Sequence, residues 1–437
     1  MSFGAQVLVR VGDSNTFYPL EHPLACAITE IRVEQHLERQ TTFAIRFQED
    51  FPNNEALVAC ERKFKDSTGI AIVVPSHDSE RGETGLFCLV RGQVEQNGFD
   101  IDTGAAGSSF EVRGQDLRTL ANRECRSHKH TGKSSEILKK LLETVGVDSM
   151  DIGESTVEYK PETKTFNFRG TVLDCIQELA RKSDFSFWLS YEIGRDRTGL
   201  SEIFEEQHYE VQSTAHVTAS PRRPEDESET TQSAAQKKAQ LLDSRDGSGL
   251  TELLILPVED RCETVINFTM NVDNEATEQA SAQAIDIDGA NAVKKTGDRA
   301  SRVSPLNEGG VTVQEVGMQP SEAETDSMPK NPNRSEASRD PSQVRSICVG
   351  VAGDKDVNES LAQGAANQGS WYVKCEALTT VFKLGKLVEP HELVSLGGGG
   401  DSVNGVYQVS DVTHVINAAD HWMSIKLRTN SRGCGGE

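Results

Sequence analysis

The sequence predicts an α+β fold that is mainly β, with β-rich ends, an α+β middle domain and a long polar linker region. Three observations predict it. Apolar and polar residues alternate near both ends, two amphipathic helices occupy the middle, and few bulky apolar residues lie between residues 218 and 345. A chain of 437 residues is too long for one ordinary core, so we expect several domains. Its mean hydropathy of -0.48 indicates that part of it is extended.

The first domain, residues 1–100, has the pattern of short antiparallel strands. Alternation of apolar and polar residues predicts strands at Gln6–Val11, Ile28–Phe47, Ile70–Pro75 and Leu86–Val94. Turn-forming stretches separate these strands, for example Phe51–Asn54. Short strands at spacings of roughly 10–15 residues indicate a small antiparallel β-barrel.

The middle domain, residues 101–217, contains two predicted helices. The first is predicted by apolar residues at helical spacing, which are Ile137, Leu138, Leu141, Leu142 and Val145. Thr131 or Ser134 can cap its start, and Gly146 ends it. The second has Thr171 as N-cap with Asp174 three residues later, and it ends at Ser183-Asp184.

An aromatic strand follows the second helix. The period changes from 3.6 to 2, so that one face of the strand carries Phe185, Phe187, Leu189 and Tyr191. Trp188 then points to the opposite face. The sequence therefore predicts that the two helices pack beside a strand with an aromatic face.

A polar region follows the middle domain. Residues 218–250 are predicted to be an acidic linker, with a short helix near Ala234–Leu242. Residues 251–345 are predicted to hold strands at 253–256 and 265–272, a helix at Glu275–Ala284, and an extended polar arm at 298–340.

The last domain, residues 346–437, is predicted to begin with a small helix at Asn358–Gln368 and to continue as strands. The predicted strands are Trp371–Ala377, Val381–Leu387, Leu393–Leu396, Val406–Ile416 and Trp422–Leu427. The hairpin between Gly405 and Asn430 is the clearest β signal in the chain. The glycine run Gly397–Gly400 marks a turn rather than a phosphate-binding loop.

Charge and hydropathy exclude some classes of function. The formal net charge is -23 and the isoelectric point is about 4.9, which argues against direct binding of a nucleic-acid backbone. No apolar run approaches the roughly 18 residues that span a bilayer. The start of the chain lacks a signal-peptide pattern, so we expect synthesis in the cytoplasm without a signal peptide.

The nine cysteines form no C-x-x-C or zinc-knuckle spacing. Most lie inside apolar strand or helix patterns, so we expect buried, reduced thiols that behave as small hydrophobic side chains. Cys434 differs because it lies in a glycine-rich tail, where an intermolecular disulfide is the alternative.

Four groups of residues were weighed as candidate sites. Gly132-Lys133-Ser134 lacks the earlier glycine of a phosphate loop, since Ser127 stands there, and is interpreted as a helix start. His128 and His130 could bind a metal with nearby Glu124 and Cys125, but a loop with exposed imidazoles is favoured.

His414 and His421 flank a hairpin turn, where they could meet, and His414 is interpreted as a packed strand residue. No recognisable catalytic motif is present. Because the chain has 68 acidic residues, pairs of carboxylates arise anywhere in it and do not indicate a glycosidase site. We therefore predict no enzyme activity, catalytic residue, metal or cofactor. The alternatives are a cell-wall hydrolase, or a carbohydrate-binding protein that uses Trp188, Trp371 and Trp422.

The order of several short motifs resembles a known family. The motifs are Arg113-Gly114-Gln115-Asp116-Leu117, Thr131-Gly132-Lys133-Ser134, Phe166–Thr171, Asp174, Leu179-Ala180, Phe185–Trp188, Gly405–His414 and Ile425–Asn430. This pattern resembles the baseplate hub family of contractile tails. That family includes phage late control protein D, the phage baseplate hub protein and the N-terminal part of type VI secretion spike proteins. The chain stops at Glu437, right after the C-terminal motif, so the resemblance implies that the spike is a separate protein.

The resemblance implies two small antiparallel β-barrel domains, one at each end of the chain, that resemble the tail tube. It also implies a homotrimer that adapts a six-fold tube to a three-fold spike in a bacteriophage baseplate or a related contractile injection system. The expected partners are a trimeric spike protein, the tail tube protein, baseplate wedge proteins and the tape-measure protein in the lumen.

Overall fold

The computed structural model describes residues 4–10, 15–49, 55–65, 68–75, 85–100, 108–155, 157–159, 165–183, 185–195, 208–219, 250–258, 261–272, 279–285, 292–298, 346–349, 371–400 and 402–430. The fold is mainly β, as predicted, with short helices between the strands. No helix in these ranges is long and apolar enough to cross a membrane. The predicted acidic linker, the polar arm at 298–340, the helices at 234–242 and 358–368, and Cys434 lie outside these ranges.

The N-terminal part is built of seven strands and two helices. In chain order they are β1 (Gln6–Arg10), β2 (Thr16–Pro19), α1 (His22–Cys26), β3 (Ile28–His36), β4 (Thr42–Glu49), α2 (Glu55–Lys63), β5 (Gly69–Pro75), β6 (Leu86–Asp100) and β7 (Ser108–Asp116). The strands predicted here are confirmed, but the predicted stretch 28–47 is two strands that pair as a hairpin, with Ile31 opposite Ile45. The alternation places Ile31, Val33, Phe43 and Ile45 in the core.

The middle part contains the two longest of the described helices. Its elements are α3 (Arg118–Ala121), β8 (Arg126–His130), β9 (Gly132–Lys133), α4 (Ser134–Glu143), β10 (Ser149–Ile152), β11 (Glu158–Tyr159), β12 (Phe166–Gly170), α5 (Val172–Lys182), β13 (Phe185–Arg195) and β14 (Tyr209–Ala219). The apolar faces of α4 and α5 are buried together against β13 and β14. This arrangement confirms the two predicted helices and the aromatic strand.

In the described segments of the C-terminal part there are nine strands and one helix. They are β15 (Thr251–Leu254), β16 (Asn267–Val272), β17 (Gln279–Ile285), β18 (Ala292–Asp298), β19 (Ser346–Val349), β20 (Val373–Thr380), α6 (Val381–Leu384), β21 (Leu393–Gly397), β22 (Gly405–Asn417) and β23 (His421–Thr429). The predicted hairpin is β22–β23, with a β-bulge between Val409 and Asp411.

Two predictions of secondary structure in this part are wrong. Residues 279–284 of the predicted helix Glu275–Ala284 belong to β17, whose backbone pairs with both β18 and β19, and residues 275–278 lie outside the described ranges. Its small residues alternate with polar ones, which suits a paired strand as well as a helix. The predicted strand Val381–Leu387 begins as α6, because the Thr380 hydroxyl accepts a hydrogen bond from the backbone N–H of Lys383 and Gly385 ends the helix with φ 77°.

Sixteen strands join in one sheet. Its main path runs β10-β14-β2-β1-β5-β6-β7-β4-β3-β22-β23-β20-β16. Three strands lie off this path: β13 pairs with β14, β21 pairs with β22, and β15 pairs with β21. These pairings are antiparallel except for β10–β14 and β15–β21. Among the described strands the pairings form an open series, so closure of the two barrels stays a prediction.

Strands from both ends of the chain share one hydrophobic core. This terminal core combines side chains of β1 and β3–β7 with side chains of β20–β23, including Ile31, Ile45, Val412 and Ile425, all of which are fully buried. The middle part has its own core around α4 and α5. A small third cluster, with Leu8, Phe17 and Val211, joins the middle part to the other face of β1 and β5.

Candidate functional site

The two ends of the chain meet at a seam between β3 and β22. Seven residue pairs face each other along it, from His36 opposite Asp411 to Glu30 opposite Asn417. β3 belongs to the predicted first barrel domain and β22 to the predicted second. The seam therefore joins the two β units through backbone hydrogen bonds and the terminal core, and we call it the β3–β22 seam.

A chain of buried polar side chains crosses this seam. The Gln35 side chain donates to the backbone carbonyl of Leu89 at 2.8 Å and contacts His414 Nε2 through its Oε1 at 3.2 Å. His414 Nδ1 lies 3.0 Å from His421 Nε2. Because the amide oxygen can only accept, His414 Nε2 carries the proton, and His421 Nε2 donates to His414 Nδ1.

Burial holds both of these histidines in the neutral form. It lowers the pKa of His414 well below its ordinary value, and the neighbouring His421 acts in the same direction. Burial also lowers the pKa of His421 to about 4. The sequence-based interpretation of His414 as a packed strand residue and the predicted meeting of the two rings across the turn are both confirmed.

A hydrogen bond between the two β units lies at one partly buried end of the seam. His36 Nδ1 is 2.5 Å from Asp411 Oδ1, and Ser410 Oγ donates to the other carboxylate oxygen at 2.8 Å. Burial by itself would raise the pKa of Asp411, but the hydrogen bonds from His36 and Ser410 lower it overall. Asp411 therefore stays charged at neutral pH, beside a residue of the opposite β unit.

A second polar junction ties the middle part to the N-terminal strands. The buried Arg91 on β6 donates to Asp148 at 2.5 Å, to the backbone carbonyl of Val211 at 2.8 Å and to Asn15 at 2.7 Å. Asp148 also accepts hydrogen bonds from the backbone N–H and the hydroxyl of Ser213. Burial alone would raise the pKa of Asp148, but these bonds and Arg91 lower it overall.

A stack of three rings ties the middle part to the C-terminal strands. Trp188 on β13 lies between His391, with ring centroids 3.6 Å apart, and His216, with ring centroids 5.0 Å apart. Both pairs are close to parallel. The backbone of His391 has a positive φ of 81°. Among the described residues, no other residue except glycine has a positive φ. Trp188 therefore points away from the aromatic face of its strand, as predicted, and acts as a contact between domains.

The outer face of the sheet near the seam is charged. Charged residues of both signs alternate with the core residues of β3, β4 and β7: Arg32, Arg46 and Arg113 are exposed, and Glu34 and Glu111 are partly exposed. Arg32 pairs with Glu34 and Arg113 pairs with Glu111. One face of the sheet thus carries the core, and the other presents a polar surface to solvent.

The favoured interpretation of His128 and His130 as exposed loop residues is wrong. Both lie on β8, and their side chains face Cys175 of α5, with one ligand atom from each residue within 4.8 Å of the other two. His128 and Cys175 are buried and His130 is partly buried. The sequence could not indicate Cys175, which is brought to β8 by the fold, whereas the nearby Cys125 considered from sequence is exposed.

The pKa values in this cluster follow its burial. Burial lowers the pKa of His128 and His130, and positive charges nearby act in the same direction, including Arg126 for both. Burial also raises the pKa of Cys175 to about 12. At neutral pH the two imidazoles are therefore uncharged and the thiol keeps its proton.

The remaining candidate residues lie in separate structural positions. Gly132 and Lys133 form β9, which pairs with β11, and Ser134 is the buried first residue of α4. Trp371 lies under the guanidinium of Arg428, with the ring centroid at 4.6 Å. Trp422 lies on β23 opposite Thr380 of β20. The three tryptophans are thus each partly buried, and they do not form a common surface.

The predicted burial of the cysteines is confirmed for some and wrong for others. Cys60, Cys88, Cys175 and Cys375 are buried free thiols, whereas Cys26, Cys125 and Cys262 are exposed free thiols. The exposed ones lie at the end of a short helix or in connecting segments. The side chains of Cys348 and Cys434 lie outside the part of the chain that the structure describes.

Comparison with known proteins identifies the fold. No family model matches the chain, and no curated protein sequence matches it. The chain is similar to the solved tail protein from Neisseria meningitidis MC58, with a TM-score of 0.56 and 10% identity, covering 98% of this chain and 97% of that one. It is also similar to the 43 kDa tail protein of prophage MuSo2 from Shewanella oneidensis, with a TM-score of 0.51 and 10% identity, covering 97% and 98%.

The chain is also similar to a solved component of the type VI secretion system of E. coli, with a TM-score of 0.45 and 9% identity. That alignment covers 98% of this chain and 79% of the E. coli protein. The two similarities with TM-scores above 0.5 extend over nearly the whole of both chains. Because the sequence identity is only 10%, they show that the fold is shared and nothing more. The resemblance to tail proteins that the motifs indicated is therefore confirmed at the level of the fold.

Proposed function

Because the chain has the fold of solved tail proteins, we propose that it is the structural hub of a contractile phage tail or a related injection machine. The β3–β22 seam carries the proposal. It holds two β units of one chain side by side in a single sheet with a common core. Three copies would present six such units to a six-fold tail tube and keep a three-fold face for a trimeric spike.

The proposed partners follow from this role. They are two further copies of the chain, the trimeric spike protein, the tail tube protein, baseplate wedge proteins and the tape-measure protein in the lumen. The proposed location is the baseplate of the virion tail, or its equivalent in an injection particle, after synthesis in the cytoplasm of the bacterial host. The charged outer face of β3, β4 and β7 suits a solvated surface rather than a core contact.

The role that we propose is structural and not enzymatic. The polar groups at the β3–β22 seam and around Arg91 bind to one another across domain boundaries, which suits a rigid connector. No observation favours the cell-wall hydrolase or the carbohydrate-binding protein. Zymography on peptidoglycan and a glycan-binding assay test these two alternatives, and activity in either would contradict the structural role.

The proposed trimer needs a contact that offsets charge repulsion. Three chains of net charge -23 carry a formal charge of 3 × -23 = -69. Phe382 of α6 is 89% exposed, and Ile266 and Leu256 are also exposed large apolar residues. Phe382 and Ile266 belong to adjoining segments, since the backbone N–H of Ile266 donates to the carbonyl of Leu378, at the end of β20. We infer that this apolar end of the C-terminal unit lies in a contact between copies.

Light scattering of the purified chain tests the trimer. We expect a mass near three times 47.8 kDa, alone or with the spike protein. Phe382→Ser should shift the mass towards a monomer, whereas Phe99→Ser, a matched exposed phenylalanine on β6, should leave it unchanged. A wild-type chain that stays monomeric at every concentration and with its partners would contradict the hub. Loss of assembly in both variants would contradict the assignment of this contact.

A further inference from the structure

The cluster of His128, His130 and Cys175 has the composition of a metal site. Two imidazole nitrogens and one thiol sulfur lie within 4.8 Å of one another inside the middle part. In a tetrahedral zinc site with bonds of about 2.0–2.3 Å, the ligand atoms lie about 3.3–3.7 Å apart. Small side-chain rotations would therefore bring the three atoms to coordinating distance.

The fold explains why these three side chains meet. His128 and His130 are two residues apart on β8, so their side chains leave the strand on the same face. β8 pairs with β12, with His128 opposite Phe168 and Arg126 opposite Gly170. α5 begins two residues after Gly170, so its first turn returns over β8 and places Cys175 above the two imidazoles.

One nitrogen of each imidazole in this cluster lacks a hydrogen-bond partner among the described residues. Nε2 of His128 and Nε2 of His130 are both buried, and neither has a hydrogen bond within the described part of the protein. Buried polar atoms without a partner are uncommon in folded proteins, and an ion or a water molecule is a usual explanation. The His128 ring also hydrogen-bonds to the backbone of Gly170, a contact of the kind that orients ligating histidines.

We propose that His128, His130 and Cys175 bind one zinc-type divalent cation. Two imidazoles and a thiolate suit zinc and other borderline or soft metals, whereas calcium and magnesium require oxygen ligands. The cation displaces the thiol proton, so the sulfur becomes an anionic ligand, and the proton leaves to solvent. Three protein ligands leave a fourth position for a water molecule or another side chain.

The charges around the cluster bear on its affinity for a cation. The positive charges of Lys140 and Arg126 lower the pKa of His130. Those of Lys182 and Arg126 lower the pKa of Cys175, whereas the carboxylate of Glu178 raises it. Lys182 is held by Glu178 in an ion pair at 3.1 Å. Formation of the thiolate adds a negative charge at the centre of these cations, so the loaded site carries a net charge of only +1.

The proposed ion would be structural and independent of the hub role. It would join β8 to the start of α5, one of the two helices that form the core of the middle part. On the strand next to β8, Phe166 stacks on Phe168 with ring centroids 6.2 Å apart. A buried metal between a strand and a helix stabilises the folded state without taking part in assembly.

Metal analysis of the full-length protein tests the proposal. The chain is incubated with zinc, desalted, and measured for metal by mass spectrometry. We expect about one zinc per wild-type chain, and several-fold less in Cys175→Ala, His128→Gln and His130→Gln. Cys375→Ala removes another buried thiol whose pKa is raised to about 12, and it should keep the zinc. Cys26→Ser removes the exposed thiol beside His22 and should also keep it.

Cobalt gives a second readout, which is spectroscopic. Cobalt bound to wild type should show thiolate-to-metal charge-transfer absorption, and Cys175→Ala should lose it. Zinc should also raise the melting temperature of wild type and of Cys375→Ala, but not that of Cys175→Ala. A wild-type chain that holds no stoichiometric zinc, or binds cobalt without the thiolate band, would overturn the site. Zinc lost only from Cys26→Ser would show adventitious binding at α1 and would also overturn it.

Discussion

A buried ion pair between Asp116 and Arg118 is expected to contribute strongly to the stability of the fold. Asp116 and Arg118 are 0% and 1% exposed and form an ion pair at 2.6 Å. Asp116 also accepts hydrogen bonds from the backbone N–H groups of Thr41 and Arg118. The carboxylate thus holds the end of β7, the start of β4 and the guanidinium together. Such a pair contributes mainly through the cost of removing one partner.

We predict that Asp116→Asn lowers the free energy of unfolding by about 3–5 kcal/mol, because the Arg118 charge stays buried without its counterion. The double variant Asp116→Asn with Arg118→Met should recover much of this loss, since no buried charge remains. Urea denaturation of the wild type and the variants measures both effects. Equal loss in the single and double variants would show that the charge of Arg118 is not the cause.

The buried histidine pair predicts a dependence of stability on pH. His421 has a pKa of about 4 in the folded chain against an ordinary value of 6.5. Between these values the unfolded chain binds more protons, so the free energy of unfolding falls as the pH falls. For His421 the total loss is roughly 3 kcal/mol, of which about 2 kcal/mol is reached at pH 5.

The variant His421→Gln tests this dependence. Its amide can still donate to His414, but it cannot take up a proton. We expect the variant to lose about 2 kcal/mol less than wild type between pH 7 and pH 5 in urea denaturation. Burial, which is the larger cause of the low pKa of His414, remains in the variant, so most of the difference between the two chains comes from His421. Identical pH profiles would contradict the assigned protonation.

At the scale of elements, the two long helices start differently. α5 begins with a capping box, in which the Thr171 hydroxyl accepts from Asp174 N–H and the Asp174 carboxylate accepts from Thr171 N–H. α4 begins after Lys133, with no side-chain cap. The predicted cap of α5 is therefore confirmed, and the predicted caps Thr131 and Ser134 are wrong. Ser134 is instead buried, with its backbone N–H bonded to the carbonyl of Val157.

We predict that Thr171→Ala lowers the free energy of unfolding by about 1 kcal/mol, because the N–H of Asp174 loses its acceptor. Thr131→Ala is the matched control and should change it by less than about 0.5 kcal/mol, because Thr131 is exposed and caps no helix. Thermal or urea unfolding of both variants measures the difference. A similar effect of the two substitutions would contradict the assigned cap.

A close approach of two strands explains one motif residue. Gly114 lies on β7, where a Cβ atom would come 2.1 Å from the backbone oxygen of Gln93 on β6 and 2.4 Å from the Phe43 ring. No side chain fits there without moving the backbone. The glycine of the Arg113-Gly114 motif is therefore required by the packing of β4, β6 and β7.

At the scale of the whole molecule, the N-terminal and C-terminal strands form one unit. The β3–β22 seam and the terminal core connect segments that are more than 370 residues apart in sequence. The predicted linker at 218–250 is therefore not needed to keep the two ends together once the chain is folded.

We predict that a chain cleaved in this linker remains one particle. A protease site inserted after Glu229 would divide the chain into two pieces, which should elute together at the mass of the intact protein. The reason is that backbone pairing at the seam and the shared core hold them. Size-exclusion chromatography after cleavage measures this result. Separation of the pieces without denaturant would contradict the shared core.

Local patterns in the sequence determined much of this structure. The alternation along β3, β4 and β22, the helical spacing in α4 and α5 and the cap at Thr171 each depend on neighbouring residues. Their physical cause acts over a few residues, so the elements and the fold class could be predicted. The order of the short motifs along the chain also indicated the tail-protein fold.

Only the tertiary structure decided which distant residues meet. Trp188 contacts His391, Arg91 binds Asp148, and Cys175 faces His128, and no spacing in the sequence indicates these pairs. The short segment β17 was also decided by its pairing with β18 and β19, because its own propensity is weak. Strand pairing and burial depend on contacts over hundreds of residues, so the seam, the neutral histidines and the candidate metal cluster appear only in the folded chain.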